Sequence, residues 1–322
     1  MFSIYLDDLL KKLRGLGLGC HIGGFWFWAC GYADDLILLA PCRDTLQNML
    51  KICEKYADDH NLEFSTDDVP ARSKSKCVYF CGRLNKVNYP DPLELAGRKL
   101  PWVINADHLG HTLCQTVTMD KDCHRARSKF IMRSTEVRES LVFSHPFVTL
   151  KAIQSLCMDA YGAMIWDLGS SSVEQFFKCW NTCVKMVYNV PRNTFTYLVE
   201  GFLAANYVSL RNQVLARYGG FYRRLATSPS REVRGLVKIV QNDPRSNTGR
   251  NLRLLRLKTG MDYPEQFSSF KIKGCLKALQ VPKVEEWRLG LLVTLFEMRS
   301  EKLLRVEDTK GVTAMIDSLC ST

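Results

Sequence analysis

The chain has 322 residues, of which 46% are hydrophobic, enough for two cored units of the globular, soluble class. Forty-four Lys and Arg against 33 Asp and Glu leave a formal charge of +11, so a polyanion such as nucleic acid is the natural partner. Thirteen scattered cysteines follow a start that carries Asp7, Asp8, Lys11 and Lys12 rather than a secretory signal. This pattern predicts reduced thiols in an intracellular protein, nuclear or cytoplasmic, rather than a disulfide-stapled secreted domain.

Phe2, Tyr5, Leu6, Leu9, Leu10 and Leu13 recur at helical spacing and predict a helix that Gly15, Gly17 and Gly19 stop. Its Asp7-Asp8 pair falls on the polar face, so it is not a metal site, and the glycines lack the spacing of a nucleotide cradle. Two apolar runs, residues 25–33 and 36–40, then meet at Asp34-Asp35. This pattern predicts a β-hairpin with the carboxylates at its turn. Like charges on neighbouring residues repel unless a cation lies between them, which suits Mg2+ with one or two carboxylates and phosphate oxygens; Asp is equally a good turn residue.

Pro41 makes a break, Asp44 is the candidate N-cap, and Leu46, Met49, Leu50, Cys53 and Tyr56 predict an amphipathic helix to about residue 60, packed under the hairpin. Residues 62–65 and 77–80 read as short strands around a polar connection that ends with Lys74 and Lys76. Residues 82–106 read as loop with short strands. Leu109, Gly110 and His111 predict the turn and edge of another hairpin, where glycine lets a backbone approach closely. Over residues 121–139, Lys121, Arg125, Arg127, Lys129, Arg133 and Arg138 outnumber the acids and predict a basic helix, either a phosphate-facing surface or a solvated face.

Helices are predicted over 147–167, 173–188, 195–226 with a break, and 231–241. The apolar run at 147–168 is interrupted by Lys151, Gln154, Asp159 and Asp167, so it is a core helix and not a membrane span. Arg245, Arg250, Arg253, Arg256 and Lys258 make a second basic segment, for which nucleic-acid contact and solubility fit equally. Two amphipathic segments follow at 272–279 and 285–304. Cys77/Cys81, Cys179/Cys183 and Cys123-His124 lie close in sequence, but no second Cys-x-x-Cys half lies at a plausible distance; buried apolar cysteine is the better reading.

Tyr32-Ala33-Asp34-Asp35, with a hydrophobic run on either side, resembles the Tyr-Ala-Asp-Asp motif of reverse transcriptases, more narrowly those of non-LTR (LINE-type) retrotransposons. Other pieces fall in the family's order. Residues 2–10 resemble the segment after the template-positioning motif, residues 64–80 the next palm element, and His108 to Leu113 the primer-grip hairpin. The resemblance implies an α+β fold: a truncated polymerase palm, with a small antiparallel sheet and helices, over residues 1–118; thumb-like helices over 119–168; and a helical C-terminal region over 169–322.

It also implies roles. Asp34 and Asp35 would be the catalytic, Mg2+-binding carboxylates of an RNA-directed DNA polymerase. Tyr32, Lys74 and Lys76 would approach the nucleotide or its phosphates, Leu109, Gly110 and His111 would form the primer grip, and Lys121, Arg125, Arg127, Lys129 and Arg133 would lie along RNA or an RNA–DNA hybrid. Two-metal transfer needs carboxylates from two strands, and in the family the other essential Asp lies upstream of the segment this chain resembles. The expectation is therefore a chain inactive alone but able to bind nucleic acid. The alternative is a non-catalytic helical protein-interaction module derived from a retrotransposon.

Overall fold

The computed structural model describes residues 2–67, 69, 72–80, 89–158, 160–194, 196, 199 and 209–278. The architecture is mixed α+β, with short antiparallel hairpins in the first third and helices after it. It divides into two compact units, Met1–Met119 with Pro229–Ile239, and Asp120–Ser228 with the chain from Val240 on. No helix among the described residues is long and apolar enough to cross a membrane.

In the first unit, α1 (Phe2–Gly15) leads into two hairpins, β1 (Cys20–Ile22) with β2 (Phe25–Phe27) and β3 (Ala29–Tyr32) with β4 (Asp35–Leu38). The aromatic run that reads as one strand is thus two. Gly23 and Gly24, both at positive φ, fold residues 25–27 back onto 20–22, the two-residue turn that a Gly-Gly pair favours. Asp7 and Asp8 do lie on the exposed face of α1, where both pair with Lys11.

Helix α2 (Arg43–Asp59) organises this unit because its apolar residues fall on two adjoining faces. Met49, Cys53 and Tyr56 join Leu9 and Leu13 of α1, with Trp28, Leu36 and Leu38 of the hairpin packed against them. Leu50 joins Cys77, Leu93, Leu95 and Leu100, the core beneath β5 (Leu93–Leu95) and β6 (Arg98–Leu100). The N-cap is Cys42, not Asp44, which sits inside the first turn; there its charge still complements the helix dipole. The polar face of α2 is stitched to β5. The Gln47 amide exchanges two 2.9 Å hydrogen bonds with the Glu94 backbone, as a neighbouring strand would, and Glu54 accepts from the Ala96 amide.

Residues 62–65 and 77–80 are not paired strands. Leu62 and Phe64 alternate inward as a strand's would, but no ladder runs beside them. Cys77 makes a single parallel bridge, with its amide 3.0 Å from the Pro101 carbonyl and its own carbonyl 2.8 Å from the Val103 amide. A hairpin of β7 (Asn105–His108) and β8 (His111–Cys114) follows, so the strands form separate two-stranded ladders where one small sheet was expected.

The second unit opens with α3 (Asp120–Ser140) and α4 (Pro146–Leu156). The helix expected to run to residue 167 ends at Leu156. Gly162 turns the chain at φ 77°, and a single 3-10 turn, Ala163–Ile165, precedes α5 (Ser171–Val187). Apolar composition could not reveal that break, because Cys157, Met158, Ala160 and Trp166 are buried whether helical or not. Val173, Phe176, Phe177, Trp180 and Val184, an apolar stripe at helical spacing on α5, are all buried, and the rings of Phe130, Trp166, Phe176 and Trp180 meet edge to face at 5.7 to 6.2 Å.

Then come α6 (Leu210–Ala226), α7 (Arg231–Val240), α8 (Asn247–Thr259) and α9 (Ser269–Ala278). Helix α7 returns almost wholly to the first unit. There Gly235 lies against the tip of the Phe25 ring, so close that a Cβ would overlap it. The predicted segment at 285–304, and all but two residues of 195–208, lie outside the described residues.

Candidate functional site

The carboxylate pair sits where the alternation of the hairpin places it. Tyr32 pairs with Asp35, so Ala33 and Asp34 form the two-residue turn, and Ala33 holds φ at 52°, a left-handed conformation that a non-glycine residue adopts at a cost. In this register Ala29, Gly31, Leu36 and Leu38 share one face. Leu36 and Leu38 on that face reach the core, and Gly31 leaves room for Leu10 of α1. Tyr32 and Asp35 share the opposite, exposed face, with Tyr32 67% accessible. Among the described residues neither Asp34 nor Asp35 has a hydrogen bond or ion pair through its carboxylate, and no cluster of three or more His, Cys, Asp or Glu side chains could hold a metal. Two exposed carboxylates fit one Mg2+ whose remaining positions go to water and phosphate oxygens; they do not make the donor set of two metals.

A carboxylate with no partner contributes nothing to the fold beyond repulsion of its neighbour. Asp34→Asn is therefore expected to leave the thermal midpoint in metal-free buffer unchanged, or to raise it by no more than about 2 °C. A fall of several degrees would assign the pair a structural role.

At the second predicted hairpin, Leu109 and Gly110 take φ of 48° and 80°, the turn in which both central residues are left-handed, and His108 pairs with His111. Leu109 is partly exposed, and the Thr112 hydroxyl donates to Asp107 at 2.6 Å, bracing the strands beneath the turn. Lys74 and Lys76 are exposed and, among the described residues, unpaired.

The basic helix forms, but its cations do not act together. Cys123, Phe130 and Ser134 face inward. The Arg127 guanidinium lies on that inner side and donates at 2.6 Å to Gln175 of α5. Arg133 is half-buried beside Cys157, whose thiol burial pushes up against the opposing field of that guanidinium. Lys121, Arg125 and Lys129 recur every fourth residue as an outward stripe. Arg125 also reaches back 2.8 Å to the buried carboxylate of Asp122. Of the five cations singled out in the sequence, three thus share an outward face, while Arg127 and Arg133 are half-buried.

The second basic segment is largely spent inside its own unit. Arg245 pairs with Asp243, Arg250 with Asp167, and Arg256 donates to the Asp262 carbonyl. The described cysteines are free thiols; Cys53, Cys77, Cys114, Cys123, Cys157 and Cys183 are buried, whereas Cys30 and Cys42 are exposed. Desolvation pushes Cys77 and Cys123 up to about 12 and Cys183 to about 11, which keeps them protonated and unreactive near neutrality.

Sequence reading missed one group. Tyr79, Tyr89 and Trp102 are mutually packed, 6.1 to 6.4 Å between ring centres, with Tyr89 and Trp102 stacked at 23° and Tyr79 edge-on to both. The aromatics alone were visible; what joins them is the Cys77–Trp102 bridge, which no local pattern announces. Compared with known proteins, the chain matches no family model and no curated protein.

Proposed function

We propose that the chain is the palm-end and thumb part of a reverse transcriptase of the non-LTR retrotransposon type, which by itself binds RNA or an RNA–DNA hybrid and does not polymerise. The observation that carries the reading is the Asp34-Asp35 turn: paired carboxylates with no partner among the described residues, at the tip of a hairpin whose other face is packed on a core. Asp34 and Asp35 would hold Mg2+, which when bound supplies charge for the phosphates of a nucleotide. Tyr32 beside them offers an exposed ring for a sugar or base, and Leu109, Gly110 and His111 would grip a primer. A second carboxylate-bearing strand does not meet the pair among the described residues, so in-line transfer between two metals is not assembled. The α3 stripe gives backbone contact without reading sequence.

The test is a salt titration of hybrid-duplex binding beside a primer-extension assay. Lys121, Arg125 and Lys129 replaced together by Ala should flatten the slope of log affinity against log salt by about two to three. The native chain should give no template-dependent extension. An unchanged slope removes the thumb role of α3. Mg2+-dependent extension abolished by Asp34→Ala restores a complete polymerase. Salt-insensitive binding to a protein, with no nucleic-acid affinity at low salt, would favour the helical interaction module instead.

A further inference from the structure

Tyr79, Tyr89 and Trp102 are held as a unit, though two of the three are substantially exposed. The Trp102 indole donates at 3.0 Å to the Pro90 carbonyl, and the Tyr89 hydroxyl donates at 3.1 Å to the side chain of Gln115, itself buried. Trp102 rests on the Leu50–Leu93–Leu100 core, so the cluster is anchored from below. Tyr79 and Tyr89 nevertheless leave 38% and 41% of their surface to solvent. Mutually packed, half-exposed rings, with the polar ends of Tyr89 and Trp102 already hydrogen-bonded, are suited to receiving another flat apolar face.

The chain leading into the cluster supplies the matching charge. Arg72, Lys74 and Lys76 alternate along the segment that enters the Cys77 bridge. All three side chains are exposed, none is paired among the described residues, and no acidic residue lies between position 72 and Tyr79. With at most about 3.6 Å per residue, Lys76 stands within roughly 11 Å of Tyr79 along the backbone. Aromatic faces beside a run of free cations are the parts of a single-strand platform: rings stack on unpaired bases while cations follow the phosphates.

We infer that Tyr79, Tyr89 and Trp102, flanked by Arg72, Lys74 and Lys76, form a stacking platform for a single-stranded, unpaired segment of nucleic acid. The inference rests on the nucleic-acid reading above but concerns a different ligand form, because bases inside a duplex present no free face to a ring. It also gives Lys74 and Lys76 a polynucleotide backbone to bind, rather than the triphosphate of one nucleotide.

The test uses the full chain with a 12-mer of deoxythymidine, a 12-mer of uridine and a hybrid duplex, followed by anisotropy and tryptophan fluorescence. Tyr79→Leu keeps a shorter apolar side chain, takes away the ring, and removes no hydrogen bond shown for Tyr79. It should weaken single-strand binding at least about fivefold, leave hybrid binding unchanged, and reduce quenching of the tryptophan signal. Should that variant unfold, Arg72, Lys74 and Lys76 replaced by Ser still decide the matter, with the single-strand salt slope falling by about two. Equal effects on the two 12-mers place recognition in the base faces and phosphates; an effect on uridine alone adds the 2′-hydroxyl. Full single-strand affinity and slope in both variants overturns the platform. Single-strand binding should persist when Lys121, Arg125 and Lys129 are replaced, so loss of the thumb reading leaves this one standing.

Discussion

Replacing Asn251 by Leu is expected to lower the stability of the second unit by about 2 to 5 kcal/mol, the cost of leaving two buried backbone groups without partners. Asn251 is 1% exposed on α8. Its carboxamide accepts from the Leu168 amide at 2.9 Å and donates to the Trp166 carbonyl at 2.6 Å. It therefore acts as a short piece of strand, satisfying an irregular segment that has no ladder of its own. The neighbouring ion pair, Arg250 to Asp167 at 3.0 Å, is partly solvated, and Asp167→Asn should cost no more than about 1 kcal/mol. Urea midpoints for both variants test the ranking. Equal losses would show that charge, and not backbone satisfaction, fastens α8 to that segment.

A loss of about 3 to 5 kcal/mol is expected for Trp180→Ala. Trp180 is 1% exposed, and its ring meets Phe130 edge to face, so it holds α3 against α5. Truncation leaves a cavity beside Phe130, whose ring cannot move into it without disturbing its edge contact with Phe176. Trp180→Phe should recover more than half of the loss, because a smaller ring can still meet Phe130. Chemical denaturation of the two variants checks this. A near-equal effect would mean that the indole matters through something other than the volume it fills.

What could be read from sequence was what depends on near neighbours in the chain. The turn at Asp34, the turn at Leu109-Gly110, the amphipathic residues of α2 and the stripe on α5 are local patterns with a physical period, and the structure has them all. Illegible were the features set by distant partners. Arg127 and Lys129 look alike in sequence, yet Arg127 is half-buried and bonded across to Gln175 of α5 while Lys129 faces solvent. Lys185 reads as polar surface, but it is buried at the end of α5, where its ammonium donates to the carbonyls of Arg192 and Thr194. Residues 62–65 alternate like a strand and are extended without a ladder, since alternation specifies faces and says nothing about whether a partner strand arrives.

The docking of Gly235 on Phe25 has a consequence for how the chain is made. Translation proceeds at roughly 5–20 residues per second, so the hairpin of β1 and β2 waits some ten to forty seconds before α7 exists to cover it. Throughout that interval a nascent chain displays the Phe25 ring to whatever is near the ribosome.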